Sequence, residues 1–251
     1  MRSAVQICRE LDAFLRIDEF KDASLNGLQL DAANPVRRIV CGVSANAALI
    51  DKAIAADAQL LIVHHGWLWG RCERFTGMLG ARLRRCIEGG LSVAGYHLPL
   101  DAHPQVGNNA GLCELLNLQN LEPFAQYAGS AIGFKGDLAE PVEFATLVEQ
   151  LGEGLGGINT HFGDAKRLIR SVGLCSGGAA NNLQEASDEG LDLYLTGEAE
   201  EWTQAQADEL DICFVAGGHH RTERFGPRRL ADHINQSMGI DARFIDVPNP
   251  V

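Results

Sequence analysis

Residues 59–67, Gln-Leu-Leu-Ile-Val-His-His-Gly-Trp, constrain the fold more than any other stretch of the chain. Their unbroken apolar run reads as a short buried strand. It runs straight into two adjacent histidines and a glycine. Apolar strands also read from residues 38–44 (RIVCGVS), 91–96, 130–134 (SAIGF), 168–175, 191–195, 212–216 and 242–247. A turn opens into another strand at Asn26-Gly27-Leu28-Gln29-Leu30. Ile7, Leu11, Phe14 and Leu15 stand at helical spacing within residues 1–17. Further helical patterns fall at 47–56, 78–88, 109–116, 142–151, 179–189, 199–208 and 221–237, and a loop is expected over 67–75. Strands alternating with helices of about ten residues predict an α/β fold whose mainly parallel or mixed sheets are covered by helices.

A weak internal repeat divides the chain. Val43-Ser44 through Leu61 matches Cys175-Ser176 through Leu193 at an offset of 132, which sets His64-His65-Gly66 against Thr196-Gly197-Glu198. Val93-Ala94-Gly95-Tyr96-His97-x-x-x-Asp101 parallels Val215-Ala216-Gly217-Gly218-His219-x-x-x-Glu223 at an offset of 122. Each half thus sends a strand into a His-x-x-x-carboxylate segment, the mark of a duplication. The expectation is two similar, intimately packed half-domains. The first spans 1–126, with the HHG and HLPLD segments, and the second spans 127–251, with TGE and GHHRTE. No Pro/Ser-rich linker separates them.

Five of the eight histidines (64, 65, 97, 219 and 220) lie in three short segments immediately after apolar strands. Parallel strands bring their carboxyl ends to one edge of a sheet, where ligands bind. Asp101 and Glu223 share these segments. Clustered His and Asp/Glu without Cys is a ligand set for Zn, Fe, Mn or Ni. Neighbouring side chains in an extended chain point to opposite faces, so His64 and His65 are expected to serve two ions side by side. His219 and Glu223, at i and i+4, share a face if the following segment is helical. Either Asp101 or Glu223 would bridge. Two cations about 3.5–4 Å apart suit hydrolysis of a carbonyl or phosphoryl group. His97 is either the analogue of His219 or a support for Asp101, and His97 and Glu198 are the candidates for proton transfer. His220 is expected to point away from His219, as an outer partner or solvated. His103, His161 and His233 read as ordinary structural histidines, and Trp67, Trp69 and Trp202 as packing. Residues 152–157 (Gly-Glu-Gly-Leu-Gly-Gly) lack the pattern of a phosphate loop and read as a connector.

The chain's 33 acidic and 21 basic residues give a net charge of −12, which argues against nucleic acid and anionic membrane as partners. No apolar run approaches membrane-spanning length. The seven cysteines (8, 41, 72, 86, 113, 175 and 213) form no C-x-x-C and read as reduced cytoplasmic thiols.

At Asn26-Gly27-Leu28-Gln29, His64-His65-Gly66, Tyr96 to Asp101 with Gly107-Asn108-Asn109-Ala110, Thr196-Gly197-Glu198 and Gly218 to Glu223, the chain resembles the Nif-three-like dinuclear-metal hexameric family. Members of that family carry the name GTP cyclohydrolase 1 type 2 homolog. The resemblance implies His64, His65, Asp101, His219 and Glu223 as ligands of two divalent cations, and a toroidal homohexamer of subunits with two similar α/β halves. It also implies a GTP cyclohydrolase-like hydrolase acting on a nucleotide or a small phosphorylated substrate. Where family members carry a histidine some residues after Thr-Gly-Glu, this chain has Ala205. Two other functions compete with ring hydrolysis: a non-catalytic metal-binding or regulatory interaction protein, and a metal-dependent phosphodiesterase or phosphatase. A closed structural zinc site would more often use Cys, which leans against the first.

Overall fold

The computed structural model describes residues 1–70 and 74–251. Cys72 and part of the loop expected over 67–75 lie outside the described residues. The chain forms two compact units, Met1–Gly107 with Gly226–Val247 and Asn108–Phe225 with Pro248–Val251. The first change of unit follows Gly107, ahead of the boundary expected between residues 126 and 127, and the chain returns to unit 1 over Gly226–Val247.

Unit 1 begins with β1 (Arg2–Ser3) and α1 (Ala4–Leu15). Ser3 caps α1 through a reciprocal bond with Gln6, and Arg16, in the left-handed region at φ 53°, ends it. There follow β2 (Gly27–Leu30), β3 (Pro35–Val36), β4 (Arg38–Ser44), α2 (Ala47–Ala55), β5 (Leu60–His65), α3 (Gly77–Glu88), β6 (Ser92–Gly95) and α4 (Leu98–Ala102). Strands β4, β5 and β6 are parallel, and β2 adds antiparallel to β6. Their apolar runs are unbroken because both faces are covered. Ile39, Cys41, Leu60, Ile62 and Tyr96 pack on one side with Ile7, Leu11 and Leu15 of α1. Val40, Leu61, Val63 and Val93 pack on the other with Leu49 and Ile50 of α2.

Unit 2 holds α5 (Asn108–Leu115), β7 (Gln119–Tyr127), β8 (Ser130–Glu143), α6 (Phe144–Leu155), β9 (Thr160–Phe162), β10 (Leu168–Leu174), α7 (Leu183–Asp188), β11 (Leu193–Thr196), α8 (Thr203–Glu209), β12 (Cys213–Ala216) and α9 (His219–Thr222). Its sheet order is β7-β8-β10-β11-β12-β9. Strands β10, β11 and β12 are parallel, and β9 adds antiparallel to β12. The three parallel strands with an antiparallel neighbour repeat the pattern of unit 1, as the sequence offsets predict. The sequence patterns do not reveal β7 or β9. Most of β7 is exposed and it contains Pro123, which an edge strand tolerates because its unpaired side needs no N–H. The glycine connector also differs from expectation. Helix α6 runs on through Gly152 and Gly154 to Leu155, and Gly156, at φ 76°, ends it.

Helix α10 (Phe225–Met238) and β13 (Asp241–Phe244) complete the chain. From Gly226 onward they belong to unit 1: Leu230, Ala231 and Ile234 enter the core beneath α1, and β13 pairs parallel to β4. The expected helix over 221–237 is two helices, with Glu223 at the end of the first.

Candidate metal centre

In unit 1 the donors come from the ends of β5 and β6. His64 and His65 lie inside β5 rather than in a turn after it, and Ser44 of β4 pairs with His65. Their rings do not diverge across the sheet, as simple alternation predicts. The centroids are 4.7 Å apart, and those of His64 and His97 are 5.0 Å apart. The pair sits at the last two residues of the strand. Ring nitrogens of His64, His65 and His97 lie within 4.8 Å of one another. His64 is fully buried; its Nδ1 meets the Tyr96 carbonyl at 3.0 Å and its Nε2 stands 3.5 Å from Asp101 Oδ2. His65 Nδ1 is 3.2 Å from the Ser44 hydroxyl. Asp101 is buried on α4.

His97 is held from behind. Its Nδ1 lies 2.9 Å from Asp22 Oδ1, and its backbone N–H donates to Asn26 Oδ1 at 2.7 Å. Asp22 also accepts from the backbone N–H groups of Leu98 and Ser24 and from the Asn26 amide. Burial pushes the Asp22 carboxyl up, but the hydrogen bonds and charge from His97, with those from Asn26 and Ser24, outweigh it and hold its pKa at about 2. Gln29 takes the Trp67 backbone N–H at 2.8 Å, and a Cβ on Gly66 would overlap its amide. The Asn-Gly-Leu-Gln motif therefore positions the histidine segments rather than supplying donors of its own. Trp69 stands edge-on to His97 with centroids 5.0 Å apart, so it lines the cluster. Trp67 packs in the core, as expected, and Trp202 is at the surface.

In unit 2, His219 opens α9. Its Nδ1 is 2.7 Å from Glu198 Oε1 and its Nε2 is 3.1 Å from Glu223 Oε1. Burial alone would lower its pKa, but the bonds and charges of Glu223 and Glu198 prevail and hold it at about 9. Glu223 is buried. Two glycines permit this arrangement. A Cβ on Gly177, at φ 68°, would overlap Glu223 Oε1, and one on Gly197 would stand 2.8 Å from the His219 Cα. The Thr196 hydroxyl donates to the Gly177 carbonyl at 3.1 Å. The Thr-Gly-Glu motif thus ties down a loop, leaves room for it, and orients His219.

Unit 1 gathers His64, His65, His97 and Asp101, and unit 2 gathers His219, Glu223 and Glu198. His220 is buried, not solvated, and its backbone N–H donates to the Val251 carbonyl. His103 and His233 flank Phe14 with centroids 4.4 and 3.9 Å away, and His161 packs edge-on to Phe144. Sequence reasoning missed Asp22 and Ser44, and it read Trp69 as packing where the structure sets it against His97. Asp22 carried a signal, since an aspartate can accept from the backbone two residues on and so fix a turn, here from the Ser24 N–H. The donor set fits a first-row divalent cation: imidazoles whose Nδ1 is already engaged leave Nε2 for the ion, with carboxylates beside them.

The sequence pattern of the Duf34/NIF3 (NGG1p interacting factor 3) family matches residues 3–250. A Pseudomonas aeruginosa protein named GTP cyclohydrolase 1 type 2 homolog is 40% identical over 245 residues, 97% of each chain. An Allochromatium vinosum protein of the same name is 38% identical over 251 residues, 100% of this chain and 98% of its own. Among solved structures, protein ybgI, described as of unknown function, has a TM-score of 0.94 at 34% identity over 100% of both chains. TTHA1606 from Thermus thermophilus has a TM-score of 0.91 at 31% identity, again over 100% of both.

Proposed function

The chain belongs to the Duf34/NIF3 family, and from that premise and its two donor groups we propose a divalent-metal-dependent hydrolase with a dinuclear centre. His64, His65, Asp101, His219 and Glu223 hold the two cations, drawn from Zn, Fe, Mn or Ni. The substrate is a nucleotide or another small phosphorylated molecule, in keeping with the name its relatives carry. The observation that carries this reading is the engagement of Nδ1 on both His64 and His219, by the Tyr96 carbonyl and the Glu198 carboxylate. A carbonyl accepts only, so His64 keeps its proton on Nδ1 and offers a lone pair at Nε2. Glu198 holds the Nδ1 proton of His219, and a cation at Nε2 would take the place of the proton that Glu223 favours there. When bound, divalent cations would supply Lewis-acid polarisation of a substrate oxygen and lower the pKa of water. His97 adds an imidazole to the unit 1 group, where cation binding and proton transfer are the two chemistries open to it.

The subunits assemble as a homohexamer in the cytoplasm, by the family resemblance. The six described cysteines are buried, and no disulfide joins them. Among them, burial pushes the thiols of Cys8 and Cys113 up to about 12, so they are poor nucleophiles. No helix among the described residues is long and apolar enough to cross a membrane.

The test is elemental analysis of metal-replete protein, followed by a hydrolysis screen against nucleotides. About two cations per chain are expected, with turnover lost in Glu223→Ala. Metal-free protein, or turnover unchanged in that variant, would end the proposal.

A further inference from the structure

We infer that Asn109 and Thr222 are positioning residues for Glu223: they pin the turn at Ser176-Gly177 against which that carboxylate is seated. This inference rests on the metal-binding reading above and deepens it, since a carboxylate serves a divalent cation only when its oxygens are held in place. All the residues that form this arrangement belong to unit 2.

Asn109 is fully buried in the first turn of α5, yet both ends of its amide are used. Its Nδ2 donates to the Ile132 carbonyl of β8 at 2.6 Å, and its Oδ1 accepts the Ser176 N–H at 2.7 Å. One side chain thus ties α5 to two segments 23 and 67 residues away in sequence. Truncating it would remove a partner from two buried backbone groups and press them to shift. Two residues on, Gly111 brings the same helix against the segment just after Glu223, since a Cβ there would overlap the Phe225 side chain. Helix α5 therefore bears on both the turn that meets Glu223 and the chain that leaves it.

The turn is fastened at every step. Gly177, at φ 68°, donates its N–H to the Thr222 hydroxyl at 3.1 Å. Its carbonyl accepts from the Gly197 N–H at 2.9 Å and from the Thr196 hydroxyl at 3.1 Å. Thr222 and Thr196 are fully buried, and the Thr222 hydroxyl has the Gly218 and His219 carbonyls at 3.0 and 2.9 Å. A satisfied, buried hydrogen-bond network is stiff, so a displacement at Ser176 is passed along it. It reaches Glu223 because the Cβ position of Gly177 lies against Glu223 Oε1. The two units differ at this place. The repeat sets Ala45 against Gly177, and the Ala45 N–H donates straight to the His65 carbonyl at 3.0 Å. In unit 2 the matching N–H goes to the side chain of Thr222, the residue before Glu223. The turn of unit 2 is thus coupled to a carboxylate donor, and Asn109 fixes its other end.

The test is a Co2+ titration of the metal-depleted full-length chain, read by the visible absorption of the bound ion. Asn109→Ala and Thr222→Val are each expected to weaken one binding step by about 10–100-fold, the range for loss of a partner that orients a ligand. Thr222→Ser, which keeps the hydroxyl, is expected to retain that step. Leu147→Ala, in the core of unit 2, is the control: it should lower the urea midpoint and leave the Co2+ curve unchanged. Far-UV circular dichroism checks that each variant is folded, and Thr222→Val reads the same turn if Asn109→Ala is not. Wild-type Co2+ curves in folded Asn109→Ala or Thr222→Val, or an equal loss in Leu147→Ala, would overturn the inference and leave the metal-binding reading standing. No Co2+ uptake by the wild-type chain would overturn both.

Discussion

At the scale of single residues, one position concerns a candidate donor and another the acid response. Gly177 lies at φ 68°, and a Cβ there would meet Glu223 Oε1. Gly177→Ala is therefore expected to cost about 1–2 kcal/mol in stability from the left-handed backbone alone. It should also reduce bound metal by displacing Glu223; urea unfolding and elemental analysis check the two effects separately. His103 is held differently. Its Nδ1 accepts the backbone N–H groups of Gln105 and Val106, and burial lowers its pKa below the usual histidine value. A histidine with a depressed folded pKa contributes stability that is fully present above about pH 6.5 and is lost as pH falls toward the folded value. Acidifying from pH 7.5 to 5 should lower the urea midpoint of the wild type more than that of His103→Asn. The limiting slope is about 1.4 kcal/mol per pH unit for each proton. Equal slopes would show that His103 takes no part in the acid response.

At the scale of elements, the central strands and most helices were legible because period and apolar run are local properties. RIVCGVS is β4 without adjustment, and the glycines at 89–90 end α3. The strands that escaped are β1 and β3, two residues each, and β7 and β9 at sheet edges, where half of each strand faces solvent and the apolar signal is diluted. In α6, the glycine-rich stretch looked like a connector because glycine weakens a helix, yet packing of Leu151 and Leu155 overrides that preference. The two interior glycines are not equivalent. A Cβ at Gly152 would have only ordinary contact with Ile158, at 3.7 Å, whereas one at Gly154 would overlap the Leu115 side chain. Gly152→Ala should stabilise the protein by about 0.5–1 kcal/mol. Gly154→Ala should fail to give that gain, and paired thermal melts would tell them apart.

At the scale of the whole molecule, the repeat was visible in the sequence but the compact units were not its two contiguous halves. Helix α10 and β13 return to unit 1, where Leu230 and Ile234 cover the core that Ile7 and Leu11 begin. A fragment of residues 1–126 lacks both elements. It should show no cooperative thermal unfolding by circular dichroism, because the apolar face of α1 and one edge of β4 are left uncovered. A sharp unfolding transition in that fragment would contradict this account of the core.

What the sequence determined by itself was where the apolar runs lie and which polar residues come after them: His64 and His65 after one run, His97 and Asp101 after the next, His219 and Glu223 in the second half. These are local patterns, carried by neighbouring residues and by glycines that permit a turn. Only the tertiary structure decided which nitrogen each imidazole offers. The partners that set it are mostly distant in sequence, Ser44 beside His65, Asp22 beside His97, and the Tyr96 carbonyl beside His64. Hydrogen bonds form through space between segments brought together by packing, and no periodicity along a chain encodes them.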